Sequence, residues 1–216
     1  MVEKAGVACM AADTLTSFGM LKQPAHYVAR PEKILEVDGS YVGLVGWCAH
    51  LPVLESALAN GLKLPEVASE RDLFEFSRVL HMTLKEEYFL NTIESPEDPY
   101  ESSQMMLFIL NRNGMFRLCS IRSVDRCRRF AAAGSGMTYA LGAMHAAYEQ
   151  DLGAEEIARL GVEAGIEFDH SSQGPVTVKR METGCGRSRR HDHDDAVQNG
   201  KDRTARGLLR AVRFLF

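Results

Sequence analysis

Gly134-Ser135-Gly136 is a natural place to look for chemistry in this 216-residue chain. A glycine-flanked serine opening a helix resembles a phosphate loop. The dinucleotide fingerprint, however, needs a third glycine where Tyr139 stands. There is no GxxxxGK[ST] segment, and Ser135 lies outside any GxSxG elbow. The His191–Asp195 run "HDHDD" has metal-ligand residue types in a polar segment without apolar periodicity, which makes it a weak metal site. Cys9, Cys48, Cys119, Cys127 and Cys185 lack CxxC spacing and read as free thiols of a reducing compartment. Other polar residues have ordinary explanations by type alone. Asp13 ends an apolar strand and suits a turn cap. Lys33 sits on a hairpin strand, where lysine is usually exposed. Gly46 in "GLVGWCAH" suits a helix entry. Asp169, His170 and Ser172 in "FDHSSQG" fit a polar turn.

The elements around these residues are legible. Gly6–Ala12 is a buried strand. Lys33–Val37 alternates polar and apolar residues into Asp38-Gly39, a hairpin turn that leads to the strand "SYVGLVGW". A helix runs from about His50 to Asn60, and another follows Ser69. "QMMLFIL-NRNG-MFRLCSI" is a hairpin with Asn113-Gly114 at its turn. "RFAAAGSG" reads as a strand into a glycine corner, and "MTYALGAMHAAYEQ" as an Ala-rich helix that buries most of its faces. "GAEEIARLGVEAGIEFD" has acids in its first turn and reads as a second helix. "GPVTVKRM" closes with a strand. Strands, two helices, strands, two helices and a strand predict a layered α+β fold.

Composition narrows the class. The chain is 45% hydrophobic and 25% charged, as in ordinary globular proteins. It has no membrane-length apolar run and no secretory signal. The net charge is −4, with eight Lys/Arg and four Asp/Glu in Thr183–Phe216, so Met1–Glu182 carries −8. An acidic body argues against nucleic acid as a partner.

Four separated segments together resemble the proteasome β-subunit family, and more closely its bacterial relatives such as the heat-shock-locus peptidase. They are "VACMAADTLTSFG", "RPEKILEVDGSYVGLVGWCAH", "AAAGSGMTYALGAM" and "AGIEFDHSSQGPV", in the family's order and spacing. With the connecting helices they cover nearly everything from Val2 to Met181. The resemblance implies a four-layer αββα sandwich of the N-terminal-nucleophile hydrolase type over residues 1–182. Residues 183–216 are then a basic, poorly ordered tail whose end, "LLRAVRFLF", could form a short amphipathic helix.

The resemblance also implies roles. The family's nucleophile is the hydroxyl of a threonine that begins the mature chain, with its own amine as base. That threonine falls about four residues ahead of Met1, so a chain starting at Met1 is expected to be inactive. No Gly-Thr pair offers a replacement by self-cleavage. Lys33 corresponds to the active-site lysine and Asp13 to its carboxylate partner. Gly46 matches the backbone N–H donor to the oxyanion. Trp47 stands where a small residue is common and would narrow or redirect the substrate groove. Ser135, Asp169 and Ser172 match the groups that fix the amine and the lysine. The expected function is a cytoplasmic threonine endopeptidase, assembled as a homo-oligomeric ring and acting on polypeptides. An ATP-dependent unfoldase is a compatible partner, and no cofactor, metal, membrane or nucleic acid is expected. The alternative is a catalytically dead subunit serving assembly.

Overall fold

Alternation along three strands divides the molecule into layers. Around β1 (Val2–Lys4) and β2 (Val7–Ala12), Met1, Ala8 and Met10 enter one core while Val2 and Cys9 enter another. On β7 (Met105–Asn111), Phe108 and Leu110 join the first of these cores, and Leu107 and Ile109 face a third. Successive strand side chains point to opposite faces, so strands covered on both faces feed two cores at once. The result is the αββα sandwich that the sequence predicts. The structure, a computed structural model, describes residues 1–184.

The larger sheet is antiparallel in the order β5 (Ile34–Val37), β6 (Ser40–Gly46), β7, β8 (Gly114–Leu118), β9 (Val124–Cys127). The smaller runs β1, β2, β10 (Thr177–Glu182). Beside them, β3 (Thr16–Phe18) and β4 (Leu21–Gln23) form a separate hairpin. Helices α1 (His50–Ala59) and α2 (Glu70–Glu87) cover the larger sheet through Leu54, Leu73, Leu80 and Leu84. Helices α3 (Met137–Tyr148) and α4 (Ala154–Phe168) cover the smaller through Met144, Ala147, Ile157 and Ala158. None of the helices among the described residues is long and apolar enough to cross a membrane.

Local chemistry explains the boundaries. Asp38 and Gly39 both take positive φ, 47° and 75°, as the tight turn between β5 and β6 requires. Ser69 starts α2 with a reciprocal capping box: its Oγ accepts the Asp72 N–H, and Asp72 accepts the Ser69 N–H at 2.9 Å.

Two expectations fail. "RFAAAGSG" is not a strand; its ladder contact is one isolated bridge, Val2 to Phe130. The pairing around that bridge is short: Met1 and Ala131 exchange both backbone N–H bonds and the Glu3 N–H reaches the Arg129 carbonyl, while Arg129 takes φ 66° and the Phe130 N–H turns back to the Arg128 carbonyl. Helix α3 does not bury most of its faces, since only Met144 and Ala147 are buried. Its small residues lower polarity all round, but it packs mainly against α4, leaving Tyr139, Gly142 and Ala146 exposed. The expected tail, with the HDHDD run and the amphipathic end, lies outside the described residues from 185 onward.

Candidate active site

The turn after β2 and the entry to β5 bring opposite charges together. Asp13 follows the last residue of β2, and Lys33 precedes the first of β5. The Lys33 Nζ donates to Asp13 Oδ1 at 2.6 Å. The second oxygen, Oδ2, accepts the Leu15 N–H at 3.1 Å and the Gln173 N–H at 3.2 Å. One carboxylate therefore joins the lysine to a loop 160 residues away. Thr14 reinforces the junction: its N–H reaches the Gln173 carbonyl, and its hydroxyl donates to the Pro175 carbonyl at 2.9 Å.

A second polar cluster stands where α4 ends and α3 begins. Asp169 follows α4 and is buried. Its Oδ2 accepts the Ser135 hydroxyl at 2.6 Å and the Ser172 hydroxyl at 2.7 Å. Close backbone approach makes this possible. A Cβ on Gly136 would lie 3.1 Å from the Gly165 Cα and 3.2 Å from the Ser172 Oγ. The same geometry weighs against a phosphate loop, because the turn holds a carboxylate where a phosphate would need donors. His170, read as a loop histidine, is largely exposed beside the cluster.

Both clusters border one cavity of about 500 Å³, whose lining includes Met1, Asp13, Lys33, Gly46, Ser135 and Ser172. Asp169 supports the cluster from behind this wall. Gly46 ends β6 at the rim, and Trp47 beside it is 71% exposed and borders the cavity. Sequence reasoning missed His50, whose buried ring lies against Gly46 and Trp47. Its position three residues after Trp47, at a helix entry without a Ser, Thr, Asp or Asn cap, was the available signal.

The Asp169 environment predicts a pH effect. Burial pushes its carboxyl pKa up, but hydrogen bonds from the Ser135 and Ser172 hydroxyls and the Ser171 N–H outweigh this and hold it below the ordinary value. A carboxyl depressed on folding stabilises the native state above its unfolded pKa and loses that contribution as pH falls through the folded one. Asp169→Asn should therefore lower the denaturation midpoint at pH 7. Its gap to the unsubstituted protein should narrow below about pH 4, where carboxylates begin to protonate. Denaturant titrations across pH measure this, and a pH-independent gap would refute it.

No family model and no curated protein matches the chain. Solved structures do. BPH of Thiobacillus denitrificans is 42% identical with a TM-score of 0.79, over 84% of this chain and 95% of that one. The same protein in complex with epoxomicin is 41% identical, TM-score 0.78, over 84% and 96%. Eukaryotic HslV from Trypanosoma brucei shares the fold at 20% identity, TM-score 0.62, over 84% and 97%.

Proposed function

The chain belongs to the proteasome β-subunit-like family of N-terminal-nucleophile hydrolases, and on that premise we propose that it is a subunit of a self-compartmentalised threonine-type endopeptidase. The observation that carries this reading is the meeting of the Asp13–Lys33 pair and the Ser135–Asp169–Ser172 cluster at the cavity where β1 arrives. Val2 pairs with Cys9 in the antiparallel β1–β2 ladder. Residues joined ahead of Met1 in that register would run opposite Ala11, Ala12 and Asp13. A threonine about four residues ahead would then stand beside Asp13 and Lys33.

The reaction follows from that placement. The threonine hydroxyl attacks the scissile carbonyl, and its α-amine takes the proton directly or through a water. The tetrahedral oxyanion receives the Gly46 N–H. Collapse breaks the C–N bond as the α-ammonium gives its proton to the departing amine, and leaves an ester on the threonine; the freed α-amine then takes a proton from water, which hydrolyses the ester and restores the hydroxyl. The Lys33 ammonium favours the deprotonated hydroxyl and lowers the amine pKa by like-charge repulsion. Ser135, Asp169 and Ser172 hold the amine. We assign this role to a domain of residues 1–182. It would work on polypeptides in the cytoplasm, in a homo-oligomeric ring that an ATP-dependent unfoldase could feed.

The test compares two chains in fluorogenic peptide assays. One begins with threonine placed four residues ahead of Met1; the other begins at Met1. The first should turn over, and the second should show less than about 10⁻³ of its rate, as expected when the nucleophile is removed. Epoxomicin, which BPH binds, should inhibit the first. A correctly assembled Thr-first ring without turnover would overturn the peptidase reading in favour of a structural subunit.

A further inference from the structure

The passage from β6 into α1 is closed by a histidine. His50 is the first residue of α1 and is 7% exposed. The ring Nδ1 of His50 accepts the Trp47 N–H at 3.0 Å, while the His50 backbone N–H donates to the Trp47 carbonyl at 2.9 Å. These opposed bonds close residues 47–50 into a ring. Helix α1 has no side-chain cap of the usual kind: Ala49 occupies that position. The imidazole holds the turn instead.

The same ring abuts Gly46. A Cβ built there would lie 2.8 Å from His50 Nδ1, with the Gln104 carbonyl at 3.1 Å and the Met105 Cβ at 3.2 Å. Gly46 is thus wedged between the imidazole and the start of β7. We propose that His50 is a positioning residue: by holding the Gly46–Trp47 peptide and packing against Gly46, it restricts the backbone angles of Gly46 and so fixes the preceding Val45–Gly46 peptide, which carries the Gly46 N–H. To accept the Trp47 N–H, Nδ1 must keep its lone pair, so the imidazole is neutral with its proton on Nε2. Burial lowers the His50 pKa and favours that neutral ring.

The catalytic part of this inference rests on the peptidase reading; the structural part does not. The experiment therefore has two arms, both on the Thr-first chain. His50→Leu removes the acceptor. His50→Asn places an amide oxygen where Nδ1 lies and should restore it. Trp47 is the chain's single tryptophan, so its fluorescence anisotropy reports the turn directly, and its amide hydrogen exchange reports the bond. In His50→Leu, the Trp47 amide should exchange at least about ten times faster and the anisotropy should fall, because the N–H has lost its partner. The kcat should drop roughly 10- to 100-fold with KM within about threefold, as expected when a transition-state donor is misplaced. His50→Asn should recover most of each loss.

Unchanged Trp47 exchange in His50→Leu would overturn the inference alone. Faster exchange with undiminished kcat would overturn its catalytic part. No turnover by the unsubstituted Thr-first chain would remove the peptidase reading, and the catalytic part with it. Should His50→Leu not fold, His50→Gln takes its place, because its longer side chain puts the amide near Nε2 and leaves Nδ1 vacant.

Discussion

Lys33→Met in the Thr-first chain is expected to lower turnover by about 10³-fold or more, within the range spanned by general-base and electrostatic groups. Methionine keeps the length and much of the apolar stem of lysine but carries no charge. The hydroxyl then loses the ammonium that favours its deprotonation, and the amine loses the like charge that keeps it unprotonated. Binding of the peptide involves neither change, so KM should stay within a few-fold. Stability supplies the control. The Lys33 and Asp13 side chains are 34% and 15% exposed, and partly solvated pairs contribute only about 0.2–1 kcal/mol. Asp13 also retains the Leu15 and Gln173 N–H groups. The variant should thus unfold near the same denaturant concentration while its kcat collapses. Asp13→Asn should cost less activity, because it releases the ammonium without removing it. Equal kcat in Lys33→Met and the unsubstituted enzyme would sink the assigned role.

How much of this was legible follows from the range of the forces involved. Turns and caps are local, so Asp38-Gly39 and Ser69 marked their elements correctly, and Asn113-Gly114 marked its hairpin one residue late: the turn residues are Arg112 and Asn113, with Gly114 already paired to Asn111. The short strand β9 was missed: Val124–Cys127 carries Asp125 and Arg126 and has no apolar run. It pairs with β8 through register, with Arg117 bonded to Asp125 across the strands. Phe130–Ala133 failed in the opposite sense, since apolar content suggested a strand where the backbone pairs with Met1–Glu3 over only one bridge and its flanking bonds. The site residues were named through motif resemblance, and their convergence could not be read from spacing. Asp13 and Gln173 meet only because β2 and β10 are neighbours in the smaller sheet, bringing the loop before β10 to the end of β2. His50 escaped because its partner is a backbone N–H, so that only its place at a helix entry without a usual cap pointed to it.

Gly46→Ala is expected to have the second large effect, for a reason unrelated to backbone conformation. Gly134 offers the comparison. Its φ is +95° and nothing lies within 4 Å of an added Cβ, so alanine there meets conformational strain and open space. Gly46 has no such φ, but it is crowded by the imidazole and the Gln104 carbonyl. The carbonyl belongs to backbone immediately before β7, the central strand of the larger sheet, and has little freedom to withdraw. The imidazole must then move, which breaks its bond to the Trp47 N–H. Overpacking of this kind typically costs about 1–3 kcal/mol, and a displaced oxyanion donor costs about 10²- to 10³-fold in kcat. Gly46→Ala should therefore lower both the unfolding midpoint and kcat, whereas Gly134→Ala should mainly lower the midpoint. Combining Gly46→Ala with His50→Ala separates the two costs. Removing the ring removes the Nδ1 atom that an added Cβ would meet at 2.8 Å, so the two substitutions together should cost less stability than the sum of the two made singly. If the crowding at Gly46 came only from the Gln104 carbonyl and Met105, the two costs would simply add.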